Sequence, residues 1–186
     1  MKQSNTSRYA YLAGIIDGEG CIRVNRHDDG ERNYPSYSLR IQVAQKNGTL
    51  IDWLYGNFGG TVTHANKNSR FLRASGEIVD VSHHDYRWTI NTVEKLLPIL
   101  KRILPFSIEK KKQIEVAINV CHFLTKYRRS MIVHGNRRLH RSSDSAAHYT
   151  NTCENYMKTL QELKRITIPC AAVETKLIET SKEVKL

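Results

Sequence analysis

Residues 11–24 read YLAGIIDGEGCIRV. An apolar, small-residue helix runs into Asp17-Gly18-Glu19-Gly20 and then at once into a strand. Carboxylates at a helix C-terminus sit at the negative end of the helix dipole, which costs stability unless a cation or another partner offsets it. The stretch therefore has to be explained by something outside itself. Around it, residues 7–18 fit a helix, with Ser7 as N-cap and Leu12, Ile15 and Ile16 as apolar positions. Residues 21–26 and 36–44 fit two strands. In the second, Tyr37, Leu39, Ile41 and Val43 alternate with Ser38, Arg40 and Gln42. The intervening HDDGERNYP is a polar turn with Gly30 and Pro35.

Further along, residues 48–58 fit a helix closed by Gly59-Gly60. Strands are expected at 61–65 and 86–91, joined by a longer basic loop that carries Lys67, Arg70, Arg73 and His83-His84-Asp85. Helices are expected at 92–104 and 108–124, separated by Pro105. The order is αββαββα, an α+β chain. After Thr125 the composition shifts, and KYRRSMIVHGNRRLHR has little periodicity. A helix is expected from Asp144 to Ile166, where Cys153, Tyr156, Met157, Leu160 and Leu163 recur at helical spacing. The expected organisation is a core over residues 1–124 and a basic, helix-bearing C-terminal extension over 125–186.

The chain has 186 residues, 29 Lys and Arg against 18 Asp and Glu, and a net charge of +11. An excess of that size points to a polyanionic partner, above all nucleic acid. Cys21, Cys121, Cys153 and Cys170 lie far apart with no C-x-x-C pair. That spacing carries no zinc signature and no compact disulfide framework, and fits buried thiols in a reducing compartment. No apolar run approaches the roughly 18–20 residues of a membrane span. The expectation is a soluble intracellular protein, in a bacterial or phage-infected cytoplasm or in an organelle, with no small-molecule cofactor.

Two further patterns bear on chemistry. Arg23 and Asn25 on the first strand, and Ser38, Arg40 and Gln42 on the second, would share a polar face. A twisted β-ribbon fits the major groove, where Arg reads guanine and Asn or Gln reads adenine. With the basic segment at Lys67, Arg70 and Arg73, the set favours duplex DNA over a wet strand face without a partner. Single-stranded binding would need exposed aromatic platforms, and Tyr37 falls on the buried side. In the opening helix, Ala10, Gly14 and Gly18 are spaced four apart and form one smooth stripe. Two copies packed along it would bring two carboxylates and two helix C-termini together. On the residues alone, a divalent-cation site and an acidic turn capped by Gly20 both fit.

Residues 12–20, LAGIIDGEG, resemble the LAGLIDADG motif of homing endonucleases, with six of nine letters identical. With the αββαββα order, the resemblance covers about two thirds of the chain. It implies an αββαββα core whose curved antiparallel sheet straddles DNA, followed here by a C-terminal helical extension. The chain has one motif, which implies a homodimer built on Ala10, Gly14 and Gly18. The metal-binding acid corresponds to Glu19, one methylene longer than the usual Asp, with the Gly18 carbonyl beside it. The sixth letter, Asp17, is implied to support the helix end. IQVAQK resembles the segment that places a glutamine near the attacking water, here Gln45. LPFSIEKKKQ resembles the segment that carries a basic active-site residue, here Lys110. Thr49 stands where some relatives have an arginine.

The implied activity is Mg²⁺-dependent hydrolysis of both DNA strands in a long, pseudo-palindromic site. Mn²⁺ would serve in its place, and Ca²⁺ would bind without supporting cleavage. The two Glu19 side chains would lie over the central minor groove, the cut would leave short 3′ overhangs, and cleavage would promote mobility of an intron or gene. The rival is a cleavage-inactive relative, an RNA maturase or DNA-binding regulator; the retained Glu19 speaks against it. Arg128, Arg129, Arg137, Arg138 and Arg141 lie outside the resemblance. They fit either an extended phosphate footprint or a solvated linker. His83-His84 and His122 lack the spacing of metal ligands.

Overall fold

Strict alternation in the first two strands builds the centre of the fold. A computed structural model describes residues 5–28, 34–72, 78–134, 137–139 and 142–166. Helix α1 spans Asn5–Glu19 and passes directly into β1, Gly20–His27. Strand β2 is Ser36–Gln45, α2 Gly48–Phe58, β3 Thr61–Leu72 and β4 Ile78–Ile90. Helix α3, Val93–Ile103, leads through a 3₁₀ turn at Leu104–Phe106 into α4, Lys111–Ser130. A short hairpin, β5 Ile132–His134 and β6 Arg137–Leu139, precedes α5, Ser143–Ile166.

The main sheet is antiparallel with strand order β1-β2-β4-β3. The register pairs Ile22 with Ile41, Val24 with Leu39 and Val43 with Trp88, so the apolar residues of each strand share one face. Helices α1, α2 and α4 cover that face. The core joins Leu12 and Ile16 of α1 to Ile22, Leu39, Ile41, Trp88 and Ile90 of the sheet and to Leu96, Leu100 and Ile114 of α3 and α4, all fully or almost fully buried. Burying each such side chain contributes about 2–3 kcal/mol. The opposite face carries the polar half of the alternation.

Helix α2 ends where the sequence places its stop. Gly59 and Gly60 take φ of 66° and 100°, which only glycine adopts freely. A Cβ on Gly60 would also lie 2.6 Å from the Thr89 carbonyl oxygen. The Gly59 carbonyl accepts a 2.6 Å hydrogen bond from Trp88 Nε1, which satisfies the indole inside the core.

Three expectations need correction. Helix α1 begins at Asn5, so Ser7 lies inside its first turn and is not the N-cap. The expected basic loop is largely strand: β3 and β4 pair continuously from Thr61–Thr89 to Leu72–Ile78. Antiparallel backbone pairing does not need an apolar face, and residues 63–70 and 82–87 are mostly polar, so apolar alternation does not mark this part of the ribbon. Lys67 and Arg70 therefore sit on β3, and His83 and His84 sit opposite Lys67 and Asn66 on β4. Arg73 lies outside the described residues. Lastly, α4 runs to Ser130, past the expected end at residue 124, and Arg137 and Arg138 lie on β6. Arg141 and Cys170 lie outside the described residues.

Candidate functional site

The end of α1 is neutralised from within. Asp17 turns back onto the segment before α4, where its carboxylate accepts from Ser107 Oγ, from the Ile108 amide at 2.7 Å and from the Lys110 amide at 3.1 Å. Partial burial pushes the Asp17 carboxyl upward. The hydrogen bonds from Ser107 and from the Ile108, Lys110 and Glu109 amides together outweigh it and hold the group below its usual 3.8. Asp17 thus stabilises the entry to α4 at the positive end of that helix.

Lys110 does the converse for α1. Its Nζ donates to the carbonyl oxygens of Ile16 at 2.8 Å and Asp17 at 2.6 Å, which are terminal acceptors of α1. The ammonium is the cation that the opening stretch requires. Burial is the largest influence on it and lowers its pKa below 10.5; Asp17, Cys21 and Glu19 pull the other way, and Lys164 pushes it down further. Lys111 and Lys112, its neighbours in sequence, are exposed.

Glu19 remains. It is exposed at the last position of α1, and among the described residues no hydrogen bond or ion pair holds its carboxylate. Gly18 beside it is exposed as well, and a Cβ added at Gly14 or Gly18 would meet nothing within 4 Å. Ala10, the third residue of the stripe, is half-buried. Gln45, the last residue of β2, falls two positions beyond the Gly20–Val43 pair, at the same end of the sheet as Glu19. It lines an open cleft of about 480 Å³ with Tyr11, Asn47, Thr49, Leu50 and Trp53. Thr49 is exposed in the first turn of α2, where its amide donates to Asn47 Oδ1 at 2.9 Å.

The polar face of the sheet gathers the expected reading residues. Arg23 lies opposite Arg40, Asn25 opposite Ser38, and Gln42 opposite Cys21. Arg23 donates to Gln42 Oε1 at 3.2 Å, and His27 Nε2 lies 2.8 Å from Ser38 Oγ. Among the described residues, nothing hydrogen-bonds the buried Arg40 Nε. Two residues missed in the sequence extend this face: Thr89 sits opposite Gln42, and Arg87 opposite Ala44 on one side and Thr63 on the other. The signal was present, because Arg87 and Thr89 alternate with the buried Trp88 and Ile90. Arg87 also lies 3.7 Å from Asp85.

Two of the thiols are shielded. Cys121 and Cys153 are buried, which pushes both up to about 12. Cys21 is half-buried and free. Among the described residues no group of three or more His, Cys, Asp and Glu is arranged to hold a metal, and no helix is long and apolar enough to cross a membrane.

No family model matches the chain, and no curated protein matches it in sequence. Solved structures do share its architecture. The homing endonuclease I-CvuI, bound to the I-CreI target with magnesium and the DNA uncleaved, superposes with a TM-score of 0.55 at 14% identity, over 84% of this chain and 82% of its own. The LAGLIDADG homing endonuclease I-GzeII with its DNA target gives 0.56 at 11% identity, over 80% of this chain but 43% of its own. The archaeal intron-encoded homing endonuclease I-Vdi141I, complexed with DNA, gives 0.52 at 13% identity, over 82% of this chain and 98% of its own. With a four-stranded antiparallel sheet backed by helices as in these structures, the chain has the LAGLIDADG homing-endonuclease fold.

Proposed function

We propose that the chain is a homodimeric, divalent-metal-dependent DNA endonuclease that cuts both strands of a long, pseudo-palindromic site. The observation that carries this reading is the division of labour at the end of α1. Asp17 and the carbonyls of Ile16 and Asp17 are satisfied internally, whereas among the described residues nothing pairs with the exposed Glu19 carboxylate, which stands beside a smooth face. In support, the structures of like fold named above are DNA complexes, and the chain carries a net charge of +11.

The donors fit magnesium. Glu19 and the Gly18 carbonyl are hard oxygen ligands, few in number, and Mg²⁺ is usually held by one or two carboxylates with waters and phosphate oxygens completing the shell. The described residues do not supply the closed His and Cys set of a zinc centre. When bound, Mg²⁺ or Mn²⁺ would activate water and neutralise charge on the scissile phosphate, while Ca²⁺ would bind without supporting cleavage. Lys110 fixes the position of Glu19 by holding the turn of helix before it, and adds positive charge where the phosphate arrives. Gln45 orders solvent at the same end of the sheet. Arg23, Asn25, Ser38, Arg40 and Gln42 read bases, and Lys67 and Arg70 on β3, together with Arg73, contact the phosphates. Packing of α1 on its twin through Ala10, Gly14 and Gly18 brings the two Glu19 carboxylates to the centre of the site.

The test is selection of cleavable duplexes from a random library with Mg²⁺, followed by the Glu19→Gln variant on the recovered site. Wild type should cut both strands, and E19Q should bind with unchanged affinity in Ca²⁺ and lose at least about 10³-fold in rate, the scale of a transition-state charge stabiliser. A wild-type chain that binds duplex or folded intron RNA and never cuts DNA would replace the enzyme by a binding protein.

A further inference from the structure

The C-terminal helix reaches the same centre. Near its start, Tyr149 Oη accepts from the Tyr37 amide at 3.2 Å. One turn on, Glu154 accepts from Tyr37 Oη at 3.2 Å and pairs with Arg26 at 2.7 Å. Near its end, Lys164 Nζ donates to Cys21 Sγ at 3.6 Å. The ten residues from Glu154 to Lys164 span about 15 Å of helix, and the five from Arg26 back to Cys21 about 17 Å of strand. Helix α5 therefore tracks the edge strand β1 along most of its length and ends where β1 meets α1.

Cys21 alternates with the buried Ile22, so it shares a face with Arg23 and Asn25 and lies opposite Gln42. It follows Glu19 by two residues. An ammonium resting on its sulfur stands at the boundary between the polar sheet face and the metal-binding end of α1. A thiol is a weak acceptor and no counter-ion. Among the described residues, no carboxylate lies within ion-pair distance of Lys164, and Asp17 is committed to the turn before α4. Lys164 also lies close enough to Lys110 for the two ammonium groups to repel, while Glu19 attracts Lys110 from the end of α1. Such an arrangement is relieved by an anion with several acceptor oxygens.

We propose that Lys164 binds the DNA backbone phosphate next to the cut, so that the C-terminal extension completes the cleavage centre. This rests on the endonuclease reading above. It assigns the extension a role at the reacting end of the sheet, beyond that of covering the β1 edge.

The probe is the set of duplexes that wild-type protein recovers from a random library in Ca²⁺. For these, the slope of log Kobs against log salt is measured for wild type, Lys164→Gln, Lys164→Arg and Lys158→Gln, the last removing an exposed charge from the same helix. K164Q should flatten the slope by about 0.9 per protomer, K164R should restore it, and K158Q should leave it unchanged. In parallel, acetylation of wild-type lysines is followed by mass spectrometry. Lys164 should lose reactivity when duplex binds and Lys158 should not, a readout that needs no variant to fold. An unchanged slope in K164Q, an equal loss in K158Q, or a Lys164 that stays reactive on DNA overturns the inference while the nuclease reading stands. A wild-type chain that recovers no duplex overturns both.

Discussion

At the residue scale, two adjacent acids of one motif have opposite fates. Asp17 accepts several hydrogen bonds from Ser107 and the backbone of residues 108–110, whereas Glu19, two residues on, has none among the described residues. The sequence alone left an acidic turn and a cation site equally open, because their difference lies in contacts across some ninety residues of chain. Asp17→Asn should destabilise the fold by about 2 kcal/mol, the scale of hydrogen bonds to a charged group. The sign of its pH dependence follows from the depressed carboxyl. The stabilisation is present above the unfolded value of 3.8 and is lost as pH falls through the lower folded value. Urea midpoints at pH 7 and below pH 4 test this: the gap between wild type and D17N should narrow in acid, and a gap constant with pH would remove Asp17 from that role.

At the element scale, α1 and its junction with β1 carry two kinds of glycine. Gly20 is fixed by sterics, since a Cβ there would lie 2.6 Å from the Ile16 carbonyl oxygen and 2.7 Å from its Cα. Gly14 has no such reason within one chain, and a mid-helix glycine costs about 1 kcal/mol relative to alanine. Gly20→Ala should therefore destabilise by about 1–3 kcal/mol through overpacking, measured by thermal or urea unfolding. Gly14→Ala should stabilise the isolated protomer by up to about 1 kcal/mol yet weaken self-association in sedimentation equilibrium. Equal stability loss in both variants would mean that Gly14 also answers to packing inside the protomer. Helix α1, strands β1 and β2 and helix α2 were legible because apolar alternation and glycine stops coincide with their boundaries. The outer reach of β3 and β4 was not, because residues 63–70 and 82–87 are mostly polar and leave no periodic trace.

At the scale of the whole molecule, the charge and the open sheet face agree. One polar surface collects Arg23, Arg40 and Gln42, and Arg87 and Thr89 extend it, on a chain of net charge +11. The docking of α5 along β1 was hidden from the sequence. Its helical spacing identified Cys153 and Leu160 as inward-facing, but nothing local told that Tyr149 and Glu154 would meet Tyr37 or that Lys164 would reach Cys21.

The proposed cleavage centre requires two copies of α1 to meet along Ala10, Gly14 and Gly18. A cysteine at Gly14, in a chain with Cys21 and Cys170 changed to serine, tests that meeting directly. Under mild oxidation, with and without duplex DNA, G14C should form a disulfide-linked dimer at high yield, because a bridge needs Cα atoms within about 7 Å. Lys158→Cys in the same background should not. G14C that remains monomeric on a non-reducing gel under conditions where the protein is bound to DNA would contradict the twofold centre and leave Glu19 without its partner.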